Sequence, residues 1–276
     1  LAFTGSTTGA GATGSAGTCC CCCCWQDTKA AAVRARIAMV FITFLSVLMC
    51  FCSVSRQPSS GCRGAQYTHF FSFGKPEILK KLIKCINDCG KLGIKTLVCH
   101  VYIGFDTVAK VTDIGIKNFS LLIDEAEKYD LNLAFENTEG VECLYGIKKH
   151  LSHRKNCGFC IDTGHELCYN AGYDLLKDFG DKLFFLHIND NMGVTGDRVF
   201  WTDDSHIIPF KQGKVNWQRF CDNLKKLDWN GWISLELCMK NKPEKHTHDD
   251  LIGITPDEFF KMAFISAKRI EGNIND

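Results

Sequence analysis

LNLAFE (131–136), GFCID (158–162), LFFLHI (183–188) and WISLEL (232–237) are short apolar runs, each with an acid or a histidine at or near its C-terminal end. They are too short for helices and show no polar alternation, which is the pattern of strands covered on both faces. Helical stretches lie between and around them. Pro76 to Lys91 places Ile78, Leu79, Leu82, Ile83 and Ile86 at helical spacing behind an initial proline. Further helices are predicted over 118–130, 142–151, about 173–179, 216–227 and 256–270, with another strand over 94–99 and a long polar loop over 189–215. Strand and helix therefore alternate from about residue 66, and such alternation predicts parallel βαβ units with helices on the sheet faces. With a further strand at 66–71 the count is six strands. A closed eightfold barrel needs two more, and the leader offers no convincing ones.

The chain of 276 residues divides into three parts at the level of composition. Residues 1–30 hold an Ala/Gly/Ser/Thr tract and six consecutive cysteines, Cys19 to Cys24, and read as a disordered low-complexity leader. Residues 31–60 contain Ile37 to Val54, an uncharged apolar run flanked by Arg34, Arg36 and Arg56. At about 1.5 Å per residue this run barely spans a bilayer, so a membrane anchor, a late signal sequence and translated non-coding sequence all compete for it. A membrane is a partner only through 37–54, and the barrel itself is expected in the cytoplasm. The chain begins with Leu rather than Met, which reads as a fragment or a gene-model artefact. Residues 66–276 hold the alternating strands and helices and are expected to form the barrel.

With 32 Lys+Arg against 31 Asp+Glu, there is no basic excess to hold a nucleic acid. Nine of the 18 cysteines lie beyond Cys62, scattered through apolar runs, which suits buried free thiols rather than a disulfide framework. Cys157-Gly-Phe-Cys160 has the spacing of a redox or zinc pair but has no second pair and overlaps a strand. Asn118-Phe-Ser is an isolated glycosylation triplet and does not argue for secretion.

The chemistry sits where the strands end. Glu136 closes its strand, Asp162 closes the next, and His187 and Glu236 stand near the ends of two more. In a parallel barrel those ends converge on one face. Two or three carboxylates with an imidazole suit a divalent cation. His165, three residues past Asp162, can reach a metal or a substrate, and Asp204, His206 and His100 are further candidates. Singly, an acid at a strand end is as readily a helix N-cap, and a histidine as readily a core or surface group. Four such positions at the same end of four βα units are what single out a site.

The motifs FENTEG (135–140), CIDTGH (160–165), LHINDN (186–191), DSHIIP (204–209) with GKVNW (213–217), and ISLEL (233–237) resemble the xylose isomerase-like TIM-barrel superfamily, and within it the sugar phosphate isomerase/epimerase group. The resemblance implies a (β/α)8 TIM barrel holding a divalent metal ion (Mn2+, Mg2+, Co2+ or Zn2+) on Glu136, Asp162, His187 and Glu236. It implies a small sugar or sugar phosphate as substrate and leaves a homo-oligomer open. Glu136 and Glu236 are implied as the acid/base pair acting through an enediolate, with His165, Lys214, His206 and His100 toward the substrate. A related class, the endonuclease IV-type apurinic-site phosphodiesterases, uses a zinc cluster on the same barrel. His69, His100, Glu136, Asp162, His165, His187, Asp204, His206 and Glu236 supply its tally, Asp204-Ser-His206 having the D-x-H form. His69 and Asp204 are additional ligands on that reading. No basic, aromatic-interleaved loop for gripping DNA is evident, so the sugar enzyme ranks first. A degenerate, non-catalytic barrel or a truncated gene product is the third alternative. The N-terminal barrel units should lie where the leader is, so the barrel reads as atypical or incomplete there, and the long loop before His206 reads as a reshaped pocket wall or a lid.

Overall fold

The computed structural model describes the backbone of residues 37–41 and, with their surroundings, residues 76–102, 104, 109–197 and 199–275. Strands β1 (Ile37–Phe41), β2 (Thr96–His100), β3 (Asn132–Glu136), β4 (Cys157–Asp162), β5 (Leu183–His187) and β6 (Ile233–Leu237) form the wall. Helices α1 (Pro76–Lys91), α2 (Asp113–Glu127), α3 (Val141–Leu151), α4 (Thr163–Cys168), α5 (Leu176–Phe179), α6 (Trp217–Lys226) and α7 (Pro256–Asn275) connect them. Strands β2-β3-β4-β5 pair in sequence order and β1 pairs with β6, always in parallel. The two sheets meet through Ile188, whose N–H donates to Ser234 O at 2.9 Å and whose carbonyl accepts from Glu236 N at 3.1 Å. The described wall therefore runs β2-β3-β4-β5-β6-β1, with a helix following each of β2 to β6 as in a barrel.

The strand at 37–41 is one the sequence reading did not find. It takes the first five residues of the apolar run 37–54 and sets Val40 opposite Glu236. An unbroken apolar run carries no periodicity, so a strand buried on both faces and a membrane segment look alike in it. The remainder of that run, the low-complexity leader and the predicted strand at 66–71 lie outside the described residues. Among the described residues, no helix is long and apolar enough to cross a membrane.

Alternation along each strand divides the residues between two faces. Outward-facing Leu133, Phe135, Phe159, Ile161 and Leu186 pack beneath the helices. There the Phe119 and Phe135 rings lie 5.3 Å apart and those of Phe159 and Phe179 lie 4.7 Å apart. Inward-facing Val98, Ala134, Cys160 and Phe185 form a small apolar floor. Two residues further along each strand stand His100, Glu136, Asp162 and His187. Cys157 and Cys160 belong to opposite faces, and all nine cysteines among the described residues are free. Asn118 is buried in α2.

Helix termini follow the side chains available. Thr112 caps α2 by accepting from Gly115 N, and Asn216 caps α6 by accepting from Arg219 N. The Thr112 cap starts α2 at Asp113, five residues before the predicted start at 118. Helix α4 was not predicted at all, because six residues are too few to show periodicity.

A register shift between β4 and β5 decides the site. Phe159 faces Leu183 but Cys160 faces Phe185, leaving Phe184 as an extra residue, so that Asp162 comes to face His187. The Phe184 ring fills the space over Gly158, where an added Cβ would lie 2.4 Å from Phe184 Cδ2. Gly158→Ala should therefore displace the ring and disturb the bulge, costing about 1–3 kcal/mol as an overpacked core position does, measured by urea unfolding.

Candidate metal centre at the barrel mouth

Glu136, Asp162, His187 and Glu236 each offer a ligand atom, all within 4.8 Å of one another, and all four residues are buried. His187 Nδ1 lies 3.0 Å from Glu136 Oε1 and 2.8 Å from Glu236 Oε2. Strands β3 and β6 lie on either side of β5, so the two glutamates reach the imidazole from both flanks. His100 Nε2 is 3.1 Å from the other oxygen of Glu136.

Two asparagines and a threonine hold this arrangement beyond the ends of the strands. The Asn137 side chain mimics a peptide unit: its Oδ1 accepts from Asp162 N at 2.7 Å and its Nδ2 donates to Asp162 O at 3.0 Å. Thr163 Oγ1 donates to Asn189 O at 2.6 Å, and Asn189 Nδ2 donates to Asp162 Oδ2 at 2.8 Å. Asp162 also caps α4, accepting from His165 N at 2.7 Å. The cap reading of Asp162 therefore holds, one oxygen serving the helix while the other accepts from Asn189 and stays within the four-residue group.

A second group lies alongside. His165, Asp204 and His206 also place one ligand atom each within 4.8 Å of the others. His165 Nδ1 donates to Asn137 O at 2.8 Å, and His206 Nδ1 donates to Glu236 O at 3.1 Å. A carbonyl can only accept, so both rings carry hydrogen on Nδ1 and turn Nε2 toward Asp204 Oδ2, at 3.5 and 2.9 Å. His206 has φ +50°, a left-handed backbone that costs a non-glycine residue about 1–2 kcal/mol. The expected long loop delivers this pair. It is pinned by an antiparallel bridge between Asp190 and Ile207 and by Trp217 Nε1 donating to Asp190 Oδ2 at 2.9 Å, so it forms a wall of the mouth.

The electrostatics follow from burial and neighbours. Burial alone would raise Glu136, but the imidazoles of His187 and His100 outweigh it and hold the carboxyl well below its usual range. Burial pushes Asp162 up to about 6. For Asp204, burial is outweighed by His206, His165 and Lys242, and the carboxyl falls well below its usual range. Burial opposes a charge on His187, yet Cys160, Glu236 and Glu136 together raise it well above the ordinary value.

A divalent ion fits these residues on a direct observation. Glu136 Oε2, Glu236 Oε2, His187 Nε2 and Asp204 Oδ1 are buried with no aligned hydrogen-bond partner. Burying three carboxylates together is costly even with His187 and His100 beside them, and a dication would lower that cost. The hard oxygens and imidazole nitrogens suit the ions expected. Cys160 Sγ adds a further candidate, lying within 4.8 Å of ligand atoms of Glu136 and His187 because the β3–β4 register sets Cys160 opposite Glu136.

Of the residues singled out from the sequence, Glu136, Asp162, His165, His187, Asp204, His206, Glu236 and His100 gather at this mouth. Lys214 is exposed and outside the cluster, its backbone N–H donating to Asn191 O at 2.8 Å. His69 lies outside the described residues. Sequence reasoning missed Asn137, Asn189, Cys160 as a site residue, and Lys242. The two asparagines directly follow or nearly follow a strand-end residue and were legible on that ground. Lys242 had no signal.

The fold and the cluster define a parallel α/β barrel with a candidate cation site at the carboxyl ends of its strands. The chain belongs to the xylose isomerase-like TIM-barrel family, whose model matches residues 67–254. It is similar to a probable endonuclease 4 of Nitrosopumilus maritimus, 28% identical over 142 residues, covering 48% of this chain and 49% of that one. The chain spans about half the length of the curated relatives it matches. Among solved structures it is similar to the IOLI protein with a bound zinc atom, with TM-score 0.54 and 18% identity over 72% of this chain and 70% of that one. It is also similar to a D-psicose 3-epimerase in the presence of D-fructose, with TM-score 0.53 and 15% identity over 77% of each chain. At these identities the structures establish the fold.

If the four-residue group holds an ion, added Zn2+ should raise the melting temperature. A free concentration of 100 times Kd stabilises the native state by about 2.7 kcal/mol. Calorimetry should show that shift in the wild type, and Glu236→Ala should abolish it.

Proposed function

We propose that the protein is a divalent-metal-dependent isomerase or epimerase of a small sugar or sugar phosphate. The observation that carries this is the pair of buried glutamates meeting at His187 from strands on either side of it. Family membership and an epimerase among the similar structures support the reading.

Glu136, Asp162, His187 and Glu236 would hold the ion, which when bound polarises carbonyl and hydroxyl oxygens and offsets developing negative charge. The protein's own side chains do the rest. A C–H next to a carbonyl is weakly acidic, so one carboxylate must accept its proton while another group returns a proton to the enediolate. Glu136 and Glu236 face the same small space and take these two roles. His165 and His100, whose rings stand 6.5 Å apart beside Glu136, orient substrate hydroxyls. Asn137 and Asn189 keep Asp162 and the mouth rigid, so proton donor and acceptor remain aligned.

The second reading, an endonuclease 4-type phosphodiesterase, is favoured by one specific observation: the additional His165–Asp204–His206 group beside the first. The similarity to a probable endonuclease 4 points the same way. Incubation of the metal-loaded protein with ketoses and ketose phosphates in D2O, followed by NMR, separates the two. Deuterium should enter at the carbon next to the carbonyl, and Glu136→Gln or Glu236→Gln should each slow that exchange by about 10²–10⁴-fold. Cleavage of an abasic DNA duplex without sugar exchange would replace this reading with the nuclease.

A further inference from the structure

Lys242 is buried, with 6% of its surface exposed, although it lies on the polar segment after β6. Its Nζ is 3.4 Å from Asp204 Oδ2, donates to Trp201 O at 3.3 Å, and stands 5.7 Å above the Trp201 ring. The short helical turn Trp201–Asp203 presents both the carbonyl and the following Asp204. That turn is anchored in turn by Lys245, whose Nζ is 2.7 Å from Asp203 Oδ1 and 2.6 Å from Thr195 Oγ1. The ammonium is therefore held in a built position against the second donor group.

The two groups at the mouth differ sharply in charge. Glu136, Asp162, His187 and Glu236 combine three carboxylates with one imidazole, a strong field for a dication. His165, Asp204 and His206 contribute a single carboxylate, and Lys242 already balances it. A dication placed among them would sit within a few ångströms of the ammonium, where like charges in a poorly solvated site repel strongly. Without the ammonium, the two Nε2 atoms and the unpartnered Asp204 Oδ1 are well disposed to ligate, each imidazole being oriented by a carbonyl at its other nitrogen.

We propose that Lys242 is a resident cation that keeps a second metal ion out of the His165–Asp204–His206 group and so makes this barrel a one-ion site. The inference rests on the reading that the four-residue group holds an ion. Lys242 then acts as a specificity-determining residue: it leaves Asp204 paired with the ammonium and the two Nε2 atoms, and it withholds the multi-metal arrangement that phosphodiester hydrolysis uses.

The test compares zinc bound per full-length chain after equilibrium dialysis against Zn2+, read by elemental analysis as differences from the wild type, so that any zinc on Cys19 to Cys24 cancels. Lys242→Met and Lys242→Gln should each gain about one ion, Lys242→Arg should gain none, and Asp204→Asn added to Lys242→Met should remove the gain. In the wild-type background Asp204→Asn should leave the zinc content unchanged. No gain in either uncharged variant, or loss of an ion in Asp204→Asn alone, would overturn the inference. Glu236→Ala should lose about one ion from the wild type. No loss there would remove the reading of the first group and this inference with it.

Discussion

His187 Nδ1 receives Glu136 from one flank and Glu236 from the other, at 3.0 and 2.8 Å, and the rest of the mouth is arranged around that contact. It exists because parallel strands end on one side and because their alternation is in phase. His100, Glu136, Asp162 and His187 all stand two residues beyond an apolar floor of Val98, Ala134, Cys160 and Phe185. A one-residue slip in β3, β4 or β5 would turn its acid or histidine toward the helices and Phe135, Ile161 or Leu186 toward the mouth. The bulge at Phe184 is what brings β5 into phase with β4, and the glycine at 158 is what leaves room for it.

Beyond the strand ends, hydrogen bonds take over from the ladder. Asn137 pairs with both backbone groups of Asp162 as a neighbouring strand would, and Thr163 and Asn189 do the equivalent between β4 and β5. These bonds let the site extend past the regular sheet without losing rigidity, as the proposed proton transfer between two carboxylates would require. The same mouth accommodates a second set of donors from the loop after β5. Its one carboxylate faces Lys242 and two imidazoles, whereas the first set gathers three buried carboxylates around His187.

The four strands quoted at the outset were legible because burial on both faces leaves an unmistakable apolar run of strand length. Strand β1 was not, because it is the start of an eighteen-residue apolar run, and apolarity alone does not distinguish a barrel strand from a membrane segment. Helix α4 escaped for the opposite reason: TGHELC is too short and too polar to show a period, and only the Asp162 cap reveals it. Most site residues were visible because they follow apolar runs immediately. Lys214, picked out through the family resemblance, stands exposed, while the lysine that does reach the cluster lies on a segment without any motif.

From the amino-acid order alone came the alternation of strand and helix, the parallel βαβ units, and the identity of the residues at the strand ends, since these depend on local pattern and on the period of a strand; the barrel came from the family resemblance. The tertiary structure decided which of those residues share a space, that Cys160 and Lys242 join them, and that the candidate ligands fall into two groups of different charge. Those are properties of distance through space between β3, β6 and the loops beyond β5 and β6, which lie tens of residues apart in the chain, and Coulomb interactions and coordination depend on that distance alone.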